Sequence, residues 1–146
     1  METQDPISYR SVQYLAITQN WKSNLENFDY ESKFFHLLFE DYFVNFLSSF
    51  LTSQLHGMEA RLSRLDQRSI ALKKEVDGQL LVLNMMVDGM VEENVDDLKN
   101  GQVELEIEVA EFNTNFADLK KDIYQLVKSA NDSHERFSFP CIDKLV

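Results

Sequence analysis

The stretch that decides the fold is LKNGQVELEIEVAEFNTNFADLKKDIYQLVKSA, residues 98–130. One polar and nine apolar residues recur through it at alternating spacings of three and four: Leu98, Gln102, Leu105, Val109, Phe112, Phe116, Leu119, Ile123, Leu126 and Ala130. Sustained spacing of this kind is typical of long helices packed side by side. The stretch therefore predicts a helix over 98–130, and it contains no catalytic signature.

Two earlier segments carry the same spacing, over 21–55 and 58–93. Ten of the chain's 17 aromatic residues fall in 21–50, so the first of these helices has a broad apolar face that needs more than one neighbour. His56-Gly57 and 94–101 are the predicted turns. Short connections favour antiparallel neighbours. We predict one all-α domain over 1–146, an elongated up-down-up antiparallel helical bundle of three long helices.

The two ends of the chain are less clearly patterned. Asp5-Pro6 has the features of a helix start, with an N-cap residue followed by proline. It could open a short fourth helix or extension over 6–19, or residues 6–55 could form a single helix. The tail, 131–146, contains Pro140 and is not predicted to be helical, but it is apolar enough to dock on the bundle or on a partner.

Residues 103–109, VELEIEV, alternate between apolar and acidic side chains, as a half-buried strand would. A helix is favoured, because the 3-4 spacing passes through the segment in register and no second strand is available to pair with it.

Composition excludes several classes of protein. The net charge of −11 disfavours nucleic acid and anionic membranes as partners. Glu40 and Asp41 interrupt the most apolar stretch, so no membrane span is predicted. A lone cysteine, Cys141, fits a reducing compartment, and no signal peptide is visible. A soluble cytoplasmic protein is expected.

The sequence contains no recognisable catalytic or cofactor motif. His36 and Glu40 lie four residues apart and could share a metal, but no Glu-x-x-His motif is present, and a His–carboxylate hydrogen bond is the favoured interpretation. No Gly-rich phosphate loop or nucleophile elbow occurs. Arg61, Arg64 and Arg68 share a helical face that is expected to be solvated or internally salt-bridged rather than to bind an anion. We predict no catalytic residue, no metal, no cofactor and no enzymatic activity.

Negative charge is concentrated late in the chain, where residues 77–130 hold 4 Lys/Arg against 12 Asp/Glu. With an up-down-up topology, 104–111 would lie level with about 24–31. Arg61–Lys74 would lie towards the opposite end, with Lys73 and Lys74 near Glu40 and Asp41. An acidic end for docking a basic protein partner is predicted at Asp96, Asp97, Glu104, Glu108 and Glu111.

The leading hypothesis for function is a non-enzymatic scaffold or adaptor that acts through helix–helix contacts and forms a homodimer. The residues predicted to form the self-association surface are Phe34, Phe43, Phe50, Leu81, Met85 and Met86. The alternative is a small-molecule or metal-binding bundle, whose pocket would be lined by the aromatics of the first long helix and by Met85, Met86 and Met90, with or without His36 and Glu40.

Overall fold

The computed structural model describes residues 8–45 and 49–132, with only the backbone described for 43–45 and 49. Three α-helices fill this part of the chain: α1 is Tyr9–Asn45, α2 is Ser49–Val87 and α3 is Val95–Asp132. α2 packs against both α1 and α3, and the described ranges contain no strand. The predicted all-α, three-helix bundle is confirmed.

The first turn lies earlier than predicted. α1 continues without a break through Asn20 and Ser23, so 9–19 belong to α1 rather than to a separate helix, while Asp5-Pro6 falls outside the described residues. α2 begins at Ser49, which places His56 and Gly57 inside it and makes the predicted turn wrong. A glycine within a helix costs only about 1 kcal/mol. Burial of Leu55 and Leu62 on either side outweighs that cost.

α2 ends at Val87 and not at residue 93, and Gly89 is the reason. Its φ of 71° is left-handed, the conformation that glycine adopts without steric strain. The amide of Gly89 donates to the carbonyl of Met86 at 3.1 Å, and the amide of Met90 donates to that of Met85 at 2.8 Å. These two bonds form a Schellman motif, which terminates the helix.

Side chains cap the two helix starts at this end of the bundle. The amide of Ser11 donates to Oγ of Ser8 at 3.2 Å, and the amide of Ser8 itself donates to Oε2 of Glu93 at 2.9 Å. In the same way the amide of Asp97 donates to Oδ1 of Asn94 at 3.1 Å, so α3 starts three residues before Leu98. The turn between α2 and α3 thereby fixes the start of α1 as well.

The core is built from the predicted seam. All ten seam residues of 98–130 are buried, which confirms the spacing argument and the helical assignment of 103–109. Phe28 of α1 meets Phe112 and Phe116 of α3 edge-on, at ring-centroid distances of 4.8 and 4.7 Å. Lys120 lies over the Phe116 ring at 4.7 Å. Large aromatic rings therefore fill the space between the two parallel helices.

One polar layer crosses the core. Gln102, 5% exposed, exchanges hydrogen bonds with the Thr18 hydroxyl on α1, and its Oε1 accepts from Nε2 of Gln79 on α2 at 3.1 Å. Each helix contributes one member of this layer. Buried polar groups need partners, so the layer favours a single axial register of the three helices.

Candidate partner-binding surfaces

The alternating segment 103–109 gives α3 two apolar faces. Leu105 and Val109 lie in the core with 5% and 2% of their surface exposed, whereas Val103 and Ile107 are 46% and 62% exposed. Because 3.6 residues make one turn, residues two apart point to nearly opposite sides of a helix. In a strand, this alternation would produce a single apolar face. In a helix, it produces two apolar faces, one towards the core and one towards solvent.

The outer face continues beyond the alternating segment. Val103, Ile107, Ala110 and Thr114 are all exposed and follow one another at spacings of four, three and four. We refer to these four residues as the α3 ridge. Helical geometry places Glu106 on one side of the ridge and both Glu104 and Glu111 on the other. All three carboxylates are exposed and form no ion pair within the described part of the chain.

Glu108, also predicted to dock a partner, faces the bundle instead. Its Oε2 atom is buried and lies 3.4 Å from Nη2 of Arg68, a long ion pair without a well-aligned hydrogen bond. A hydrogen bond between the Glu75 and Glu108 carboxyl groups raises the pKa of Glu75, and burial and the negative charge of Glu108 add to the effect. Glu108 thus interacts mainly with α2.

Asp96 and Asp97 lie in the first turn of α3. Asp97 accepts a hydrogen bond from Nδ2 of Asn94 at 2.9 Å while its own amide donates to Oδ1 of Asn94. Carboxylates in a first turn also interact favourably with the helix dipole. These two residues therefore have a role in starting α3 that requires no partner.

The register between helices differs from the predicted one. The Thr18–Gln102 bond and the Phe28–Phe112 contact place residues 104–111 level with about 20–27, not 24–31. The prediction that Arg61–Lys74 lies far from the acidic residues is wrong, since Arg68 pairs with Glu108. Lys73 pairs with Asp29 rather than approaching Glu40. The cause is the early start of α2, which changes which residues of α1 and α3 lie beside each residue of α2.

The described residues among those predicted to form the self-association surface lie in three places: at the start of α2, near the end of α2 and on α1. Phe50 and Leu81 are 68% and 61% exposed but lie 31 residues apart on α2, about 46 Å along a helix. Met85 and Met86 are half-buried beside Leu81. Phe34 is half-buried against the core, edge-on to Phe35 at 5.7 Å. The side chain of Phe43 is outside the described residues.

Around Leu81 the apolar surface is larger than predicted. Four further apolar residues of the α2 end and the following turn are exposed: Val82, Val87, Met90 and Val91. Together with Leu81, Met85 and Met86 they form what we call the α2 end patch. Exposed apolar clusters of this kind mark interaction sites on many soluble proteins.

His36 has an acidic partner, but on another helix. Its Nε2 lies 2.7 Å from Oδ2 of Asp66, and the Ser32 hydroxyl donates to Oδ1 of the same carboxylate at 2.5 Å. The predicted hydrogen-bonded histidine is thus found, with Asp66 in place of Glu40. Within 8–45 and 49–132, no group of three or more His, Cys, Asp or Glu side chains is arranged to hold a metal ion.

Two grooves lie between α2 and α3, with volumes of about 400 and 450 Å³. Arg61 and Arg64 line both grooves. Nη1 of Arg61 donates to Oδ2 of Asp122 at 2.6 Å, and Arg68 pairs with Glu108, so two of the three arginines of this face form internal salt bridges. Arg64 is exposed. Neither groove is lined by aromatics of α1 or by Met85 and Met86, the pocket envisaged for a small-molecule ligand.

The described part of the chain is a three-helix bundle with two exposed apolar surfaces. None of its three helices has the length and apolar character needed to cross a membrane. No family model matches the chain, and the comparisons with curated proteins and with solved structures gave no match either.

Proposed function

We propose that the protein is a non-enzymatic scaffold or adaptor that acts through helix–helix contacts and associates with a second copy of itself. The observation that carries the proposal is the exposure of large apolar side chains outside a filled core. Leu81 and Ile107 are each more than half exposed, although α2 and α3, which hold them, each bury a row of large apolar side chains on the inner face. Such surfaces are stabilised when another helix covers them.

The two apolar regions of α2 suit an antiparallel dimer. In an antiparallel α2 pair related by a twofold axis, Phe50 of one protomer would lie level with the α2 end patch of the other, and the reverse. Charge favours the same arrangement. The half of the described bundle that contains the patch holds 6 Lys/Arg against 12 Asp/Glu, whereas the other half holds 6 against 9. Antiparallel pairing keeps the two more acidic halves apart.

Sedimentation equilibrium of the full chain at tens of micromolar tests self-association. We expect a dimer for the native sequence and a shift towards monomer for Leu81→Glu, which adds a charge to the α2 end patch. Tyr124→Gln is the matched control, because Tyr124 is 46% exposed but lies on α3 away from both regions. A native chain that is monomeric throughout, or a Leu81→Glu dimer as tight as the control, would contradict the proposal.

We place this scaffold in the cytoplasm and expect proteins, not nucleic acids, as its partners. The single cysteine suits a reducing compartment. The net charge of −11 repels a phosphate backbone and attracts basic protein surfaces.

A further inference from the structure

We infer that the α3 ridge is a docking site for a basic amphipathic helix of another protein. The inference rests on the proposed helix–helix function and assigns it a second partner, distinct from the second copy of the chain. The first observation is the shape of the ridge. Val103 to Thr114 covers about 17 Å of α3, which is three helical turns. The 4-3-4 spacing is that of a seam in helix pairs, and the short side chains of Ala110 and Thr114 permit close approach.

Charge determines the occupant. Glu106 flanks one side of the ridge, and Glu104 and Glu111 flank the other. In pairs of helices, the charges of residues that flank the apolar seam determine which partner binds. Exposed Lys99 lies on the Glu106 side and exposed Asp118 on the opposite side, so the α3 residues of the two flanks are acidic in sum. Glu111 and Asp118 also line the groove that holds Arg61, Arg64 and Arg68, of which Arg61 and Arg68 are paired with Asp122 and Glu108. A second copy docked here would set glutamate against glutamate. A helix with Lys or Arg beside its own apolar seam would form opposite-charge pairs instead.

The flanking glutamates take no part in the ion pairs that join the helices. Five interhelical pairs use Lys or Arg side chains: Lys22–Asp77, Arg61–Asp122, Arg68–Glu108, Lys73–Asp29 and Lys120–Glu31. None of these pairs, which are formed within the described ranges, includes Glu104, Glu106 or Glu111. An external partner could therefore pair with their carboxylates without breaking an ion pair of the described bundle.

The test is a fluorescence anisotropy titration of the full chain with two synthetic helical peptides. Both peptides carry leucine at seam positions, and they differ only in having Lys or Glu at the flanking positions. We expect the Lys peptide to bind and the Glu peptide to bind at least about tenfold more weakly, with the affinity of the Lys peptide falling as salt rises. Equal binding of the two peptides, or no binding of either, would overturn the inference.

Variants locate the site. The triple variant Glu104→Gln, Glu106→Gln, Glu111→Gln should weaken binding of the Lys peptide roughly tenfold, about 1.4 kcal/mol, because it removes three exposed charge pairs that are each weak. The control changes charge equally elsewhere, as Glu26→Gln, Glu40→Gln, Asp88→Asn, all exposed. It should bind nearly as the native chain does. A control that weakens binding as much as the ridge variant would show non-specific attraction and overturn the inference.

Ile107→Ser tests the apolar part of the ridge and separates this inference from the dimer. Ile107 is 62% exposed, so the variant should retain its helical circular dichroism and still dimerise, while losing peptide affinity. If Ile107→Ser abolishes the dimer, a second copy covers the ridge and the inference is wrong. If the native chain is monomeric yet binds the Lys peptide at the ridge, the dimer is wrong and the ridge assignment stands.

Discussion

Ile107 and Val109 are two residues apart in one helix, yet Val109 is 2% exposed and Ile107 is 62% exposed. Val109 completes the core that α3 shares with α1 and α2, whereas Ile107 projects from the opposite face between glutamates. α3 therefore has one seam for folding and a second that folding leaves uncovered. Substitutions on the two seams should separate stability from binding: Val109→Ala should lower the free energy of unfolding, and Ile107→Ser should change it little.

Two glycines should respond oppositely to alanine. A Cβ at Gly78 meets nothing within 4 Å, so Gly78→Ala should raise the free energy of unfolding by about 1 kcal/mol through helix propensity. Gly89 has a φ of 71°, and Gly89→Ala should lower the free energy of unfolding by roughly 1–2 kcal/mol. Urea denaturation measures both. Stabilisation by Gly89→Ala would contradict the helix end assigned to α2.

The aromatic contacts between α1 and α3 should be a major source of stability. Phe28 is 2% exposed and contacts two rings of α3, so Phe28→Ala should cost about 3–5 kcal/mol. Tyr30→Ala on the same helix is the control, since Tyr30 is 73% exposed and its loss should change stability by less than about 0.5 kcal/mol. Thermal or chemical unfolding of the two variants compares them directly. Similar losses would show that Phe28 is not in the core.

Tyr42 should make stability depend on pH in the alkaline range. Burial raises the pKa of its phenol from 10.0 to about 12. The folded state therefore holds this proton more tightly than the unfolded state, and the associated stability is fully present below pH 10 and lost as pH rises towards 12. Ultraviolet titration of phenolate should show one late component that Tyr42→Phe removes. A native titration identical to that of Tyr42→Phe, apart from amplitude, would contradict the burial.

Glu93 should link the second turn to the start of α1. Hydrogen bonds from the hydroxyl and amide of Ser8 lower the pKa of Glu93 from 4.5, because they favour the charged carboxylate. The stability it contributes is present above the unfolded pKa and lost as pH falls through the folded value. Glu93→Gln should destabilise the protein at neutral pH by at most about 1 kcal/mol, given its exposure, and much less in acid. An equal effect at both pH values would indicate a role independent of charge.

The helical seams were predictable because burial follows periodicity, and every residue of the Leu98–Ala130 seam lies in the core. Turn positions were less predictable. Gly57 and Gly89 have the same local freedom, but the apolar seam continues past Gly57 and gives way to a Schellman motif at Gly89. Local sequence alone does not distinguish the two glycines, because the deciding energy comes from packing against other helices.

The predicted contacts between helices depended on the predicted turn positions, so an error in a turn also made these contacts wrong. α2 starts several residues earlier than predicted, and this changes which residues of neighbouring helices lie at the same level. As a result, His36 pairs with Asp66, and Arg68 pairs with Glu108. The α3 ridge had a signal in the sequence, since alternation within a helical segment must create an outer apolar face as well as an inner one. Because Ile107 is exposed in the structure, we infer that this outer face is a docking site.

The most direct test of the central claim is native mass spectrometry of gently purified full-length chain, compared with its denatured mass. Helix-mediated self-association without a cofactor predicts a species of twice the chain mass with no additional mass. A monomer at tens of micromolar would contradict the self-associating scaffold. A reproducible extra mass lost on denaturation would contradict the account in a different way, by pointing to a ligand-binding bundle instead.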